Sequence, residues 1–433
     1  MKLLGIDIGT STICGVLYDT ETNETTSLSK ANDTWTENCA PWERAQDADR
    51  IVDIVRQLIE ESDIQGNQVA GIGFTGQMHG IVYLDRGGHA VSPLYTWQDG
   101  RAGLDYKDGK SYAAWMSETT GMDVSAGYGL ATHFYNLQNG LVPATAVSLC
   151  TIMDYAAMCL TGATAPLIDP SNAASLGLFD KRRLQFDEKS LQQLGIDAAW
   201  LPAVASRVTE VGRWDGIPVY TAIGDNQAAF IGSMKSSRDA VFVTVGTSAQ
   251  MSVWTEEYIE VPSLETRPLP GGGYILVGAA LCGGSILATM KDFLTGIVRG
   301  LTARQIDAAT IYAFMAKAAG QADDHTLLAD TRFSGSREEP QRKGAITGIT
   351  PQNFKIENLA RAFYQGIAQE MLDFYEKVPA RLRADKIRLV GAGGALKQNS
   401  PLQVSLQQLF GLPLSLSDCD EDAALGAALS IAN

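Results

Sequence analysis

A short segment occurs twice in this chain, and it constrains the fold more than any other feature of the sequence. Residues 3–18 read LLGIDIGTSTICGVLY and residues 240–254 read AVFVTVGTSAQMSVW. Each copy is a β-branched run, a Gly-Thr-Ser turn and a second strand-like run, which is the pattern of a β-hairpin. A helical stripe and a further strand follow each copy, at 51–74 and 359–391. The repeat therefore predicts two similar α/β domains, with a boundary near residues 233–239.

The composition excludes several classes of protein. The chain has 433 residues, of which 45% are hydrophobic and 19% charged, as in an ordinary globular protein. Its net charge of −15 argues against nucleic acid or an anionic membrane as a partner. The six cysteines form no CxxC pair, and the apolar N-terminal run meets Asp7 and Gly9 almost at once. These features predict reduced thiols, no structural zinc and a cytoplasmic location.

Three glycine-containing turns directly follow strands, and we interpret them as phosphate and nucleotide sites. Backbone N–H groups and small hydroxyls at such turns can donate hydrogen bonds to phosphate oxygens. The candidate residues are Gly9, Thr10, Ser11, Gly246, Thr247, Ser248, Gly393, Gly394, Ala395, Gln398 and Asn399. The third turn is not part of a GxGxxG dinucleotide unit, and the chain has no P-loop motif. A plain hairpin turn is the alternative for either Gly-Thr-Ser copy taken alone.

Two aspartates accompany these turns. Asp7 lies two residues before Gly9, where a carboxylate can hold Mg²⁺ through water. Asp225 follows the apolar run 219–224 and is the candidate catalytic base. A carboxylate there can accept a proton from a hydroxyl that attacks a phosphate, and phosphoryl transfer asks little other covalent chemistry of a protein. Taken alone, Asp225 is better explained as the N-cap of a helix; its place between the two turns favours catalysis.

Two clusters of polar and aromatic residues are candidates for a sugar site. Aromatic faces can cover the C–H surfaces of a sugar, and polar side chains can bind its hydroxyls. The candidate residues are Gln77, His79, Trp97, Asp99 and Arg101. Structural roles in a core are the alternative for His79 and Trp97.

Together these motifs resemble those of the FGGY carbohydrate kinases, members of the actin-like ATPase superfamily. The matching segments are GIDIGTS at 5–11, GQMHG at 76–80, GDNQAA at 224–229, VGTS at 245–248 and GAGGA at 391–395. The resemblance covers essentially the whole chain and implies an α/β fold of two ribonuclease-H-like domains with a catalytic cleft between them. Residues 1–235 would then form the domain with the sugar site and the base, and residues 236–433 the nucleotide-binding domain.

The resemblance also implies ATP and Mg²⁺ as cofactors and a primary hydroxyl of a ketose as the phosphate acceptor. It places Asp7 and Asp225 near the metal, and Met78, His79 and Asn226 around the sugar. In one place the chain departs from the family, because its Gly-Glu-Arg motif reads Gly335-Ser336-Arg337 here. Ser336 therefore stands where the family has this glutamate, so any role of the glutamate has no matching side chain in this sequence.

Several alternatives stay open at this level. TWQDGR at 96–101 and NAASLGLFD at 172–180 are more similar to sedoheptulokinases, so sedoheptulose is the first expected substrate. D-xylulose is the second, and another polyol such as glycerol comes after it. An actin-like nucleotide switch without kinase activity would need the phosphate turns but not Asp225 backed by His79 and Trp97. The sequence does not decide the oligomeric state, with a homodimer among the alternatives.

Overall fold

The structure is a computed structural model that describes residues 1–37, 40–63, 66, 68–235, 238–302, 304–336, 338–339 and 341–432. Arg337 of the departing motif and part of the break at 233–239 lie outside the described residues. The chain divides into two compact units. The first contains Met1–Lys235, Arg267–Tyr274 and Glu421–Asn433, and the second contains Ser236–Thr266 and Ile275–Asp420.

The described residues include two mixed sheets and a set of helices. The sheet strands are β1 (Lys2–Ile8), β2 (Thr12–Asp19), β3 (Thr25–Ala31), β4 (Val69–Gly76), β5 (Glu210–Trp214), β6 (Ile217–Tyr220), β7 (Ala240–Val245), β8 (Ala249–Thr255), β9 (Glu265–Pro268), β10 (Tyr274–Ala280), β11 (Arg388–Ala392) and β12 (Leu414–Leu416). The helices are α1 (Ala48–Glu61), α2 (Tyr112–Thr120), α3 (Gly129–Gln138), α4 (Ile152–Thr161), α5 (Pro170–Ala173), α6 (Glu188–Leu194), α7 (Asp225–Met234), α8 (Gly284–Thr302), α9 (Ala308–Ala319), α10 (Ile356–Lys377), α11 (Ala380–Arg383), α12 (Gly394–Lys397), α13 (Ser400–Phe410) and α14 (Asp422–Ser430). Short two-stranded ladders lie outside the main sheets, including Val82–Leu84 with Ser148–Cys150 and Leu167–Ile168 with Ala203–Val204.

The predicted repeat is confirmed in the topology of the two six-stranded sheets. The sheet orders are β5-β6-β4-β1-β2-β3 and β9-β10-β8-β7-β11-β12. In the first sheet, β1 pairs antiparallel with β2 and parallel with β4. In the second, β7 pairs antiparallel with β8 and parallel with β11. Each Gly-Thr-Ser turn thus closes a hairpin whose first strand lies beside a parallel strand.

The predicted helical stripe in the first half is α1. Its N-cap is Asp47, whose side chain accepts a hydrogen bond from the backbone N–H of Arg50. Ile51, Val55 and Leu58 recur at helical spacing and are fully buried in the core of the first unit. The stripe in the second half is α10, which likewise buries one face in the core of the second unit.

Helix α7, which begins at Asp225, packs closely against α14. A Cβ atom added to Gly426 would lie 1.8 Å from the carbonyl oxygen of Ala228, and one added to Gly232 would lie 2.0 Å from that of Asp422. Only glycine allows the two backbones to approach to this distance. Since α14 also contacts β1, the start of α7 is held at a defined position beside the strand that carries Asp7.

Candidate active site

Asp7 and Asp225 form a pair of interacting carboxyl groups in the first unit. Burial raises the pKa of Asp7 to about 7, and the negative charges of Asp225 and Glu421 add to this effect. Burial also raises the pKa of Asp225 to about 6, opposed by the backbone N–H of Asn226 and the positive charge of Arg267. Paired acidic groups with raised pKa values are typical of sites that hold a cation or exchange protons.

The first Gly-Thr-Ser turn is held in place by side chains from two other segments. The Asn32 side-chain amide donates to the carbonyl oxygen of Gly9 at 2.8 Å, and its backbone N–H donates to that of Ser11 at 2.9 Å. The Gln46 amide donates to the carbonyl oxygen of Thr10 at 3.0 Å. All three carbonyl oxygens of the turn therefore have a donor within the protein.

The hydroxyl of Thr10 joins this turn to the predicted sugar cluster. It accepts a hydrogen bond from Trp97 Nε1 at 3.0 Å and donates towards Gln77 Oε1 at 3.5 Å. Gln77 is buried and donates in turn to Gln46 Oε1 at 2.9 Å. Trp97 is 46% exposed, so its ring is available to a ligand while its N–H is fixed. The structure thus brings Thr10, Gln77 and Trp97 together.

His79 and Met78 lie at the end of the strand β4. His79 has a φ angle of +75°, which is unusual for a non-glycine residue and common at binding sites. Its Nδ1 atom lies 2.6 Å from the carbonyl oxygen of Ser175, and its ring stacks on Tyr128 at 4.8 Å. A carbonyl oxygen can only accept, so Nδ1 carries the proton in this contact. A Cβ added to Gly224 would lie 2.8 Å from Met78 Cε, so this thioether packs beside the residue that precedes Asp225.

Asp99 and Arg101 interact with each other. Arg101 Nε and Nη2 lie 2.7 and 3.1 Å from the two carboxylate oxygens of Asp99, and Nη1 donates to Asn136 Oδ1 at 2.7 Å. The guanidinium also lies 4.0 Å from the ring centre of Tyr95. Both charged residues are at least 98% buried. The charged groups of both residues therefore have partners within the protein, and their contact with a sugar stays a prediction.

The second Gly-Thr-Ser turn lines a cavity of about 920 Å³ in the second unit. Backbone bonds connect this turn to the start of α8, because the N–H groups of Gly284 and Ser285 donate to the carbonyl oxygens of Gly246 and Thr247 at 2.8 and 3.1 Å. The predicted residues that line the cavity are Gly246, Thr247, Gly394, Ala395, Gln398 and Asn399. Ser248 and Gly393 belong to the same two turns but are absent from the lining.

Sequence reasoning missed several residues of these two sites. Ser285, Thr289, Asp292 and Tyr312 line the cavity from α8 and α9. Glu421 acts on Asp7 although it lies far away in the sequence. No motif marks these positions, since they come together only through the packing of helices. Ser336, the residue that departs from the family motif, accepts a hydrogen bond from the backbone N–H of Glu339 in a local turn.

Asp7 and Asp225 are suited to a hard divalent cation, because carboxylate oxygens are the ligands that Mg²⁺ prefers. Among the described residues there is no group of three or more histidine, cysteine or acidic side chains that could hold a metal ion by itself. A cation at this pair would therefore take most of its ligands from water and phosphate oxygens. In the same part of the chain, no helix has both the length and the apolar character needed to cross a membrane.

Comparison with known proteins gives a consistent result over the whole chain. Residues 2–232 match the N-terminal domain and residues 241–432 the C-terminal domain of the FGGY family of carbohydrate kinases. The sedoheptulokinase of Mus musculus is 29% identical and covers 98% of this chain and 96% of its own length. The sedoheptulokinase of Homo sapiens is 30% identical, with coverages of 90% and 86%.

Solved structures show the same fold. A gluconate kinase from Lactobacillus acidophilus superposes with a TM-score of 0.81 at 21% identity, covering 99% of this chain and 88% of its own. A ligand-bound xylulose kinase from the same organism gives a TM-score of 0.80 at 21% identity, with the same coverages. The expected two-domain α/β fold of the sugar kinases is therefore confirmed.

Proposed function

Because this chain belongs to the FGGY family of carbohydrate kinases, we propose that it transfers the γ-phosphoryl group of ATP to a primary hydroxyl of a ketose, with sedoheptulose first. The chain is an ATP-dependent carbohydrate kinase. The assignment of the catalytic base depends on one observation. The pKa of Asp225 is raised to about 6, and the charge of this carboxyl acts on Asp7. Sedoheptulose is favoured because relatives named sedoheptulokinase are 29% and 30% identical over most of the chain.

In the proposed reaction Asp225 is the general base. At neutral pH a carboxyl with a pKa of about 6 is mostly ionised, so it can accept the proton of the sugar hydroxyl. The hydroxyl oxygen then forms a bond to the γ-phosphorus while the bond from that phosphorus to the β-phosphate oxygen breaks. Asp225 retains the proton and ADP leaves. One positioned base is sufficient, because phosphoryl transfer depends mainly on positioning and charge neutralisation.

Asp7 and Asp225 are the proposed residues for Mg²⁺. Asp7, with a pKa of about 7, is close to half ionised at neutral pH, and a nearby cation would favour its charged form. When bound, Mg²⁺ supplies positive charge that offsets the negative charge of the phosphates. The cavity of the second unit is the proposed nucleotide site, with Gly246 and Thr247 at the phosphates and Gly394 and Ala395 at the nucleoside.

The sugar would lie against Trp97, Met78, His79 and Asn226. Trp97 offers an exposed ring whose orientation is fixed through Thr10, and the ring of His79 is oriented by the contact of its Nδ1 atom with the carbonyl oxygen of Ser175. Asn226 is adjacent to the base at the start of α7. A cytoplasmic location is also proposed, in keeping with the free thiols of Cys14, Cys150, Cys159 and Cys282. A homodimer remains a prediction.

The test is a coupled ADP-release assay with sedoheptulose, D-xylulose, gluconate and glycerol as acceptors. We expect the highest kcat/KM with sedoheptulose, and sugar-dependent ADP release from the Asp225→Asn variant that is slower by roughly 10²–10⁴-fold. A higher kcat/KM with D-xylulose would identify the second candidate instead. Nucleotide binding without ADP release for any acceptor would favour the actin-like switch protein.

A further inference from the structure

Residues 169–175 form a short polar segment that is almost completely buried in the first unit. It comprises α5 and the beginning of the 3₁₀ turn Ala174–Leu176. Its polar side chains are 0–3% exposed, and they are those of Asp169, Ser171, Asn172 and Ser175. A buried polar group is costly unless it forms hydrogen bonds. The partners of these side chains therefore indicate what the segment holds in place.

Ser171 holds the beginning of α7. Its hydroxyl oxygen accepts a hydrogen bond from the backbone N–H of Gly224 at 3.1 Å, and its proton goes to Asp169 Oδ1 at 2.5 Å. Its carbonyl oxygen lies 3.5 Å from Gln227 Nε2, which also donates to the carbonyl oxygen of Pro268 at 3.1 Å. Gly224 and Gln227 lie on either side of Asp225 along the chain. Ser171 therefore contacts the backbone of the residue before the base and a side chain two residues after it.

Ser175 holds the turn that carries His79. Its hydroxyl accepts from the backbone N–H of His79 at 3.2 Å and donates to the carbonyl oxygen of Asn172 at 2.7 Å. Its own carbonyl oxygen receives the Nδ1 proton of His79 at 2.6 Å. This contact orients the ring, and the stacking of Tyr128 on its face adds a second constraint.

The segment is itself anchored from behind. Asn172 Nδ2 donates to Thr151 Oγ1 at 3.0 Å, and this hydroxyl donates to Asp154 Oδ2 at 2.7 Å. Thr151 is the N-cap of α4, which lies in the core of the first unit. The segment is therefore fixed to α4 through Asn172, and it contacts the residue before Asp225 through Ser171 and the residue His79 through Ser175.

We propose that residues 169–175 position the base and the sugar-binding histidine relative to one another, with Ser171 acting through Asp225 and Ser175 acting through His79. This inference rests on the proposed function. Small misplacements of a reacting group have large effects on rate, because the bound geometry must be close to that of attack. Ser171 is thus a positioning residue for kcat and Ser175 a positioning residue for the binding of the sugar.

The test compares Ser171→Ala and Ser175→Ala in the full chain, with the best acceptor from the panel. We expect Ser171→Ala to lower kcat about tenfold with little change in the KM of the sugar, and Ser175→Ala to raise that KM about tenfold. The KM of ATP should be unchanged in both. Asp169→Asn keeps an acceptor oxygen for Ser171, so it should retain more kcat than Asp169→Ala.

A double variant separates positioning from folding. In the Asp225→Asn background, Ser171→Ala should cause no further loss of the residual kcat, because its effect passes through Asp225. Ser233→Ala is the matched control, since this hydroxyl on α7 is buried and has no hydrogen-bond partner among the described residues. We expect it to leave kcat and KM unchanged.

Three outcomes would overturn the inference. They are equal changes of kcat and KM in both serine variants, losses that follow the melting temperature alone, and a further tenfold loss in the Asp225→Asn background. If the wild-type chain phosphorylates no acceptor, it is the proposed function that fails, and this inference fails with it. If the wild type turns over but Ser171→Ala does not mainly lower kcat and Ser175→Ala does not mainly raise the KM of the sugar, the positioning role of residues 169–175 is rejected and the proposed function stands.

Discussion

The two Gly-Thr-Ser turns have the same residues, but they differ in what holds them. Their hairpins also differ by one residue, because Ile8 pairs with Ile13 in the first and Val245 pairs with Ala249 in the second. In the first, Asn32, Gln46 and Trp97 contact the turn, and the Thr10 hydroxyl already has partners within the protein. In the second, backbone bonds from the start of α8 hold the turn, and the side chains of Thr247 and Ser248 are exposed. The same motif therefore forms a rigid support next to the carboxyl pair in one unit, and one wall of an open cavity in the other.

This difference predicts different roles for the two units. The first turn leads to groups with shifted pKa values, Asp7 and Asp225, and to the polar cluster around Trp97. The second leads to a cavity of about 920 Å³, a size that suits a nucleotide. Variants in the first unit should therefore change the chemistry and the binding of the sugar, and variants in the second should change the binding of ATP.

The largest expected effect comes from removing the base. Asp225→Asn should lower kcat by roughly 10²–10⁴-fold, the contribution typical of a general base, while ATP binding persists. The measurements are steady-state kinetics and calorimetric titration with ATP. A kcat close to that of the wild type would show that Asp225 is not the catalytic base.

The stability of this variant is its control. Folding raises the pKa of Asp225 to about 6, so between the ordinary pKa of an aspartate and about 6 the folded chain binds more protons than the unfolded chain. The free energy of unfolding therefore falls as pH rises through that range, because the buried carboxyl must ionise. Asparagine removes this cost. At a pH of about 8 the melting temperature of Asp225→Asn should therefore be no lower than that of the wild type. A lower value would attribute the loss of activity to unfolding.

A second prediction concerns the cavity of the other unit. A Cβ added to Gly394 meets no atom within 4 Å, and this residue lines the cavity. Gly394→Leu should therefore fold normally and occupy space meant for the nucleotide, raising the KM of ATP at least about tenfold, or roughly 1.4 kcal/mol. The KM of the sugar should not change.

Gly300→Leu is the matched control for this variant. Gly300 also has open space around it, and it is not part of the cavity lining. Equal changes in the two variants, or a higher KM for the sugar in Gly394→Leu, would contradict the assignment of the cavity to ATP.

The third prediction is a pH dependence confined to the first unit. Asp225 acts as a base only when ionised, so kcat/KM for the sugar should fall about tenfold per pH unit as pH decreases below about 6. The affinity of the second unit for adenosine is the reference, because adenosine carries no charge between about pH 5 and pH 7. This affinity should stay nearly constant over that range. A flat profile for kcat/KM would show that another group takes the proton.

The smallest expected effect comes from the matched pair Thr10→Val and Thr247→Val, which removes one hydroxyl from each turn. A hydrogen bond contributes about 1 kcal/mol, so each change should be about fivefold. Thr10→Val should raise the KM of the sugar, because Trp97 and Gln77 lose their common partner. Thr247→Val should raise the KM of ATP. If both variants raised the KM of ATP equally, the two turns would serve the phosphates alike.

Much of the fold could be predicted from the sequence because it depends on local patterns. The two hairpins followed from β-branched runs around Gly-Thr-Ser, and α1 followed from a stripe with helical spacing. The segments 267–274 and 421–433, which join the first unit, could not be predicted in this way. Their place depends on long-range packing such as the approach of α14 to α7 through Gly426 and Gly232.

The candidate site shows the same limit. Asp99 and Arg101 are candidates for binding the sugar because their residue types suit hydroxyls, but no sequence pattern predicts the buried ion pair that they form with each other. Ser171 and Ser175 carry no catalytic motif, although their contacts with Gly224 and His79 are specific. A side chain's residue type is encoded locally, whereas its partners are decided by the fold.

By itself the sequence determined that the chain has two related α/β halves, that it resembles the sugar kinases, and that Asp7, Asp225 and the three glycine turns are its candidate groups. Those conclusions depend on periodicity and on motifs of a few adjacent residues. The tertiary structure decided which Gly-Thr-Ser turn is held by side chains and which one faces a cavity. It also decided that Asp7 and Asp225 are both buried and that the charge of Asp225 acts on Asp7, because a pKa depends on burial and nearby charge, which only folding creates.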